Sequence, residues 1–572
     1  MRRGLAALLC VCSWAYLDLP VLREFDHVME PFLFMICAAV SAIILQSGSW
    51  YKGLSRSEAV LYFLFGLFVI RSAYSAPAAS LLFPGALVAL LFYQACRHFL
   101  LNTDTERLSP FLVNVFAVLI GGQLLYFIFY MLLMQGDAKQ ISSPNSSIYA
   151  EALAMQLVFF AGSLAGKKKQ FFHYILIASG AVLLLALNSR ASWLAVMLCI
   201  FVHFIQRLSA TRRRIVIITG AIALVFIFFF LIGYKRDSSE GRALIYKVSG
   251  QMLRDHYFAG IGPGQFALRY NVAQAAYFSN HDINSTEALR AGNTVYVFNE
   301  WLQCWMEEGL LCFVLLLIYT FRLLRYGFRS SEPIVKAASH GLLCTIVTAQ
   351  FSYPLHFLPV LLQTLLCMAI IETAKLRQTV VIISRSLFLY LLLIVAASFT
   401  IFCFYQQLNN RVLAKKAFLL SAGGQKKAAL HIYQQLETDR YTTGRTLYEY
   451  AKTLWDVADT IRANSMIRKA KRKGMDADLL LLSARIHHAT GDDKQAEADH
   501  LAAIYMFPSR MRSRFACFRF YQERRDTGSA RYWARMILEQ PVADSSRPYI
   551  IKVRQAIRVF LAENGQKRSK MP

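Results

Sequence analysis

The sequence predicts an all-α protein: a polytopic helical membrane domain of about thirteen transmembrane helices, then a C-terminal α-solenoid of short repeats. Three observations lead there. The 572-residue chain is 56% hydrophobic and 17% charged, with a mean hydropathy of +0.39, too apolar for an ordinary soluble protein. Apolar runs of bilayer length recur through the first 405 residues. From Asn409 charged residues become frequent, and small residues recur with helical periodicity.

Charge and cysteine usage fit this class. The net charge of +27 comes without any nucleic-acid reader motif, so basic residues between apolar runs read as topology signals and lipid-headgroup contacts, and nucleic acid is not an expected partner. Of the 11 cysteines all but Cys517 lie in or beside apolar segments, and no CxxC or Cys/His spacing marks a zinc site or a disulfide framework. They are expected to be small buried hydrophobes, and neither a metal nor a cofactor is expected.

Met1-Arg-Arg followed by the apolar stretch 5–17 imitates a signal peptide, but no small-x-small cleavage site follows and many spans do, so it is expected to be the first transmembrane helix. Further runs fall near 29–47, 58–74, 79–98, 110–134, 150–166, 171–188, 191–206 and 214–233, and then near 298–323, 337–353, 355–374 and 380–405. Basic clusters at Arg2-Arg3, Lys52/Arg56, Lys167–Lys169, Arg212–Arg214, Arg322/Arg325/Arg329 and Lys375/Arg377 occupy alternate loops. The positive-inside rule assigns that side to the cytoplasm. The N-terminus is then cytoplasmic, and the outer side receives the Asp137–Ala150 loop, the Asn188-Ser-Arg190 turn, Ser352-Tyr-Pro354 and the chain after 405. The long polar interval 234–297 also faces out, within a membrane domain expected to run 1–408.

The C-terminal domain is expected over 409–565, with a basic tail at 566–572. Ala429, Ala463, Ala496 and Ala530 recur at about 34 residues, each a few positions after a Gly- or Asp-containing turn. Pro508 and Pro541 end two units. That period and turn pattern resemble the tetratricopeptide repeat (TPR), whose stacked helix pairs bury small residues where they cross. Such an array serves either as a stabilising cap or as a concave surface for an acceptor or partner.

Several residues stand where chemistry is plausible. Arg190 sits at the outer end of two apolar helices joined by almost no loop, where an arginine costs a few kcal/mol unless it snorkels or finds a partner. It is either an interface anchor or a guanidinium fork held for an anionic headgroup. Arg236 and Arg242 follow the exit of the ninth span, and 241–259 reads as an amphipathic helix lying on the membrane surface, with Leu244, Ile245, Val248, Met252 and Leu253 apolar. Gly260-Ile-Gly-Pro-Gly264 is a tight turn in which Gly262 and Gly264 allow backbone N–H groups to approach an anion. Asn299 and Glu300 open the tenth span, with Glu307 and Glu308 two turns on. Glu300 at an apolar helix entrance is either a general base or an ion-pair partner, and His256 and His281 are alternative bases.

Taken together, Asn188-Ser-Arg-Ala-Ser192, Gly241-Arg242, the stretch Asp255–Phe266 and Phe298-Asn-Glu-Trp through Glu308-Gly309 resemble the O-antigen ligase / O-antigen polymerase / protein O-oligosaccharyltransferase superfamily. The resemblance covers roughly 30–405 by topology and is specific mainly within 186–312. It implies an inner-membrane, metal-independent glycosyltransferase that takes a glycan from undecaprenyl pyrophosphate on the periplasmic face and passes it to lipid A-core, another lipid-linked glycan or a protein hydroxyl. Arg190 and Arg242 match the family's pyrophosphate-binding arginines, and Asn299 and Gly309 match its H-N-x9-G motif. The histidine of that motif is replaced by Phe298, so either Glu300, or failing it His281, is expected to act on the acceptor hydroxyl, or the chain relies mainly on stabilising the leaving group. The reading that follows is an inverting transferase of ligase or protein O-oligosaccharyltransferase type, with Arg190, Arg236 and Arg242 on the pyrophosphate and the outward repeats presenting the acceptor. A polysaccharide polymerase of the same superfamily is the alternative. A transporter fits the spans, but the charges collect at one face rather than near the midplane.

Overall fold

The computed structural model describes residues 2–14, 26–46, 50–52, 55–74, 79–133, 146–164, 171–234, 236–376, 381–383, 387–542 and 547–566. The Lys167–Lys169 cluster, most of the Asp137–Ala150 loop and the end of the basic tail lie outside these residues.

Each expected apolar run coincides with one helix. In chain order they are α1 (Arg2–Trp14), α2 (Asp26–Gln46), α3 (Arg56–Tyr74), α4 (Ala79–Leu101), α5 (Thr105–Leu133), α6 (Ser146–Ser163), α7 (Phe171–Ala186), α8 (Arg190–Ile205) and α9 (Ala210–Tyr234). The polar interval forms α10 (Arg236–Arg254), α11 (Phe266–Phe278) and the short α12 (Thr286–Arg290). Then come α13 (Glu300–Arg329), α14 (Pro333–Thr348), a 3-10 turn (Pro354–His356), α15 (Leu358–Leu376) and α16 (Leu387–Ala422). The boundary between the eleventh and twelfth runs falls at that proline turn. A three-residue antiparallel ladder, β1 (Trp50–Lys52) with β2 (Val381–Ile383), pairs Tyr51 with Ile382 and is the only strand pairing among the described residues.

Among the described residues, α2, α4, α5, α13, α15 and α16 carry stretches long and apolar enough to cross a membrane, and α7, α8 and α14 are shorter apolar helices. Large apolar side chains point outward as well as inward: Leu125 and Leu132 are 71% and 73% exposed while Phe116 on the same helix is 0%. A helix apolar all round is what a lipid solvent selects. Inside, Phe116 stacks on Phe159 with ring centroids 4.2 Å apart. A Cβ added to Gly162 would lie 3.2 Å from the Ala337 Cα, so this glycine lets α6 and α14 touch. The pair is antiparallel, because Thr345 lies opposite Met155, its hydroxyl 3.4 Å from the thioether sulfur.

Three chain segments share a buried polar network near Ser55 and Glu372. The carboxylates of Glu58 and Glu372 are fully buried. Arg97 (3.0 Å) and the Tyr93 hydroxyl (2.9 Å) reach Glu58, while Ser55 Oγ (2.7 Å) and Lys375 (3.3 Å) reach Glu372. Each buried charge has an opposite charge and a hydroxyl, the condition under which burial is tolerated.

After α16 the helices are α17 (Lys426–Glu437), α18 (Gly444–Asp456), α19 (Thr460–Lys473), α20 (Ala477–Ala489), α21 (Asp493–Met506), α22 (Met511–Glu523), α23 (Thr527–Glu539) and α24 (Pro548–Gln566). One turn recurs four times. Gly424, Ala458, Gly491 and Arg525 have φ of 82°, 63°, 82° and 60°. The next residue in each case sends its N–H back five residues: Gln425 to Leu420 O, Asp459 to Leu454 O, Asp492 to His487 O and Asp526 to Tyr521 O, at 2.9–3.0 Å. This is a helix stop with a left-handed residue and a 6→1 bond. Asp459, Asp492 and Asp526 then cap the following helix by accepting from the backbone N–H three residues on. Ala429, Ala463, Ala496 and Ala530 all follow four residues after that cap position and are all fully buried.

Packing divides the chain into two compact units. The first comprises 1–234, 257–263 and 297–412, and the second 235–256, 264–296 and 413–572. The boundary expected at 408 therefore lies inside α16, and α10–α12 group with the C-terminal helices rather than with the membrane domain. The apolar face of α10, expected on a membrane surface, is covered by protein: Leu244, Ile245 and Val248 are buried, packed towards α11 and α12.

Candidate functional site

In the first unit the site is built around a break in α13. Asn299 caps the helix, its side chain accepting from the Leu302 N–H at 3.0 Å. Ten residues later Gly309 adopts φ +83°, ψ 172°, a conformation essentially reserved for glycine. The carbonyls released by the break are taken by the glycine turn: Ile261 N–H donates to Met306 O (2.7 Å) and Gly262 N–H to Glu307 O (3.0 Å), while Leu310 N–H donates to Phe258 O (3.2 Å). Contact is so close that a Cβ on Gly309 would lie 2.3 Å from Phe258 O, and one on Gly260 2.6 Å from Glu307 O. Arg71, near the end of α3, donates to Glu307 O (2.8 Å) and pairs with the Glu308 carboxylate (3.2 Å).

The break leaves Glu300 at the head of a short, braced helix. Its backbone N–H donates to Ala349 O at 2.9 Å. Its carboxylate, 11% exposed, accepts from the Leu355 N–H (2.8 Å) and from His356 Nδ1 (3.2 Å). Gln303 steadies the far side of this imidazole, its Nε2 lying 3.5 Å from His356 Nε2, while its Oε1 accepts from Val297 N–H. Burial alone would lower the pKa of His356, but the attraction and hydrogen bond of the Glu300 carboxylate outweigh it and raise the value above the ordinary range. A narrow, largely apolar cavity of about 160 Å³ runs from Glu300, Ala349 and Leu355 down between α13, α14 and α15 to Tyr319 and Leu323.

Phe298 occupies the position of the family histidine with φ +59° and packs edge-on against Tyr353 at 5.2 Å. It turns the chain into the Asn299 cap and carries no titratable group. His356 brings an imidazole to the same carboxylate from 56 residues away in sequence. Its only trace in the sequence is a histidine two residues past Ser352-Tyr-Pro354, in a turn flanked by apolar helices.

Arg190 opens α8 after a turn in which Asn188 has φ +52° and the Trp193 indole donates to Leu184 O at 3.0 Å. α8 packs against both α6 and α14. Cys199 lies against His340, its sulfur 3.4 Å from the carbonyl.

The other expected residues divide between the units. Gly262 lies at the α13 break, and its N–H, expected to face an anion, is already given to Glu307 O. Gly264 (φ +67°), Arg242, Arg236 and His281 belong to the second unit. Arg242 is half-buried on α10; burial raises the Tyr246 phenol above its ordinary range and the Arg242 charge opposes this only in part, while the side chain of Arg236 lies outside the described residues. His281 stacks on Tyr277 at 3.9 Å and donates from Nδ1 to the Tyr277 carbonyl at 2.7 Å.

Residues 174–317 match the family model described as O-antigen ligase. That span, about a quarter of the chain, runs from within α7 to within α13, and so includes Arg190, Arg242, the glycine turn, Asn299, Glu300 and Gly309 but stops before His356. No curated protein matches the chain. Members of the matched family are glycosyl-transferring enzymes acting in glycan biosynthesis at the membrane. Through residues 174–317 this helical membrane protein is similar to the O-antigen ligase family.

Proposed function

We propose that the protein transfers a glycan from undecaprenyl pyrophosphate to an acceptor hydroxyl on lipid A-core or a protein, at the periplasmic face of the inner membrane. The observation that carries the mechanism is the buried Glu300 carboxylate held 3.2 Å from His356 at the head of the motif helix. The acceptor oxygen attacks the anomeric carbon as its proton passes to Glu300, with His356 fixing the carboxylate's orientation and charge. The bond from the anomeric carbon to the phosphate oxygen breaks on the opposite side, and the pyrophosphate leaves with the electron pair, inverting the configuration. Arg190 and Arg242, helped by Arg236, neutralise that leaving group, for which a guanidinium fork is well suited. The step requires no metal.

The C-terminal helical hairpins act as a tetratricopeptide-like module on the same periplasmic side, presenting the acceptor. This assignment rests on four identical turns, each followed by a buried alanine at the hairpin crossing.

Purified protein is supplied with lipid-linked glycan and, separately, with lipid A-core, acceptor protein or a second lipid-linked glycan. Arg190→Ala, Arg242→Ala and Glu300→Gln should each lower transfer by roughly 10²–10⁴-fold, in the range of lost electrostatic or general-base catalysis. His356→Phe should lower it less and shift the pH–rate profile. Parental rates in the arginine and Glu300 variants would sink the mechanism; product only with the second lipid-linked glycan would make the enzyme a polymerase.

A further inference from the structure

The second unit contains a pocket that the transfer mechanism does not use. It measures about 430 Å³ and lies among α21, α22, α23 and the connection from α11 to α12. Its walls are rich in rings: Phe278, Tyr505, Tyr521, Tyr532 and Trp533. Interleaved with them are short polar groups, Ser279, His281, Asp282 and Ser529. No arginine or lysine lines it, so it is not built for phosphate or pyrophosphate.

The walls are held in place. Arg514, fully buried, donates to Asn284 Oδ1 (2.6 Å), Ile283 O (2.7 Å), Met536 O (3.0 Å) and Pro508 O (3.1 Å), tying the α11–α12 connection to α23. Tyr521 donates to Glu497 at 2.6 Å, and Trp533 meets Tyr532 edge to face at 5.3 Å. Because a carbonyl accepts from His281 Nδ1, the neutral imidazole keeps Nε2 as an acceptor. Tyr532 is 56% exposed although large and aromatic, whereas its neighbour Trp533 is 5% exposed.

We infer that this pocket binds a saccharide ring. Aromatic faces take the slightly positive C–H side of a pyranose, and neutral or singly acidic hydrogen-bonding groups take its equatorial hydroxyls. The volume falls within the roughly 300–1,000 Å³ of small-ligand sites. The ligand is a segment of glycan, from either the donor or a carbohydrate acceptor; the glycan-transfer reading bears only on which of these supplies it.

Full-length protein in detergent is titrated calorimetrically with two probes. One is the free reducing oligosaccharide released by mild acid from the host's polyprenyl-linked pool; the other is de-acylated lipid A-core. One probe should bind. Tyr532→Ala should weaken it by roughly tenfold, the loss of one stacking face, and Asp282→Asn by a smaller factor, while Tyr532→Phe keeps the affinity. Tyr532 is exposed enough for its variants to fold, and unchanged thermal transitions check this. Binding of the first probe identifies the donor as the source, and of the second the acceptor. Binding of neither, an affinity indifferent to Tyr532→Ala, or binding of an acceptor-protein peptide in their place overturns the inference. The titration uses no lipid-linked donor, so a failed transfer reaction leaves its result standing.

Discussion

At the scale of single residues, the motif positions have distinct mechanical tasks. Asn299 starts a helix and Gly309 interrupts it, so the residues between them form a unit that sets Glu300 at a fixed place. Gly309→Ala puts a Cβ 2.3 Å from Phe258 O in a backbone conformation with φ +83°, and this should destabilise the protein by about 1–3 kcal/mol from strain, with the clash in addition. Gly250→Ala, on α10 with nothing within 4 Å, should be neutral or stabilising by up to about 1 kcal/mol. Thermal unfolding of the two variants tests the contrast; equal transition temperatures would show that the break tolerates a side chain. The motif's ends were legible because they match residue for residue. His356 was not, because its contact with Glu300 exists only once the proline turn after α14 folds back over the head of α13.

Among the elements, the C-terminal hairpins show how a local pattern specifies a turn. A left-handed residue, an N–H returned to the preceding helix and, in three of four cases, an aspartate cap are all encoded within six residues. The alanine four positions after each cap could therefore be found from spacing alone. Other terms arise only from packing. His500 on α21 is 3% exposed beside Phe520, and burial depresses its pKa to about 4, partly opposed by Asp499. Its folded value lies below the unfolded 6.5, so the unfolded chain binds more protons between them and stability falls as pH drops through that window. Acidification from pH 6.5 to 4 should cost on the order of 3 kcal/mol in this unit, and His500→Gln should remove that dependence. Thermal scans across this range check it: an unchanged pH slope in the variant would assign the acid sensitivity to other groups.

For the whole molecule, the main result is that the polar interval is not an appendage of the membrane bundle. Helices α10–α12 share a packing unit with residues 413–572: the Gln274 amide donates to Met506 O at 2.6 Å, and Ile283 and Asn284 hold Arg514. Truncation after residue 412 should therefore unfold the interval as well as remove the repeats. Limited trypsin digestion should then cut at Arg242, Arg254, Arg269 and Arg290, sites that resist in the full chain, and mass spectrometry of the fragments reads this out. Continued resistance would show that the interval holds its structure without the tail.

Composition and hydropathy by themselves determined the membrane class and where the apolar runs form helices; the resemblance, not hydropathy, pointed to the stretch between Asn188 and Gly309. Bilayer length and helix punctuation are local properties, readable over about 20 residues. Tertiary structure alone decided that the glycine turn braces a broken helix instead of offering Gly262 to an anion. It also placed a histidine from the proline turn beyond the next helix on Glu300 and buried the amphipathic face of α10 in protein. Each of these is a pairing between segments tens to hundreds of residues apart, and no local pattern states which buried surface or free carbonyl will meet which partner.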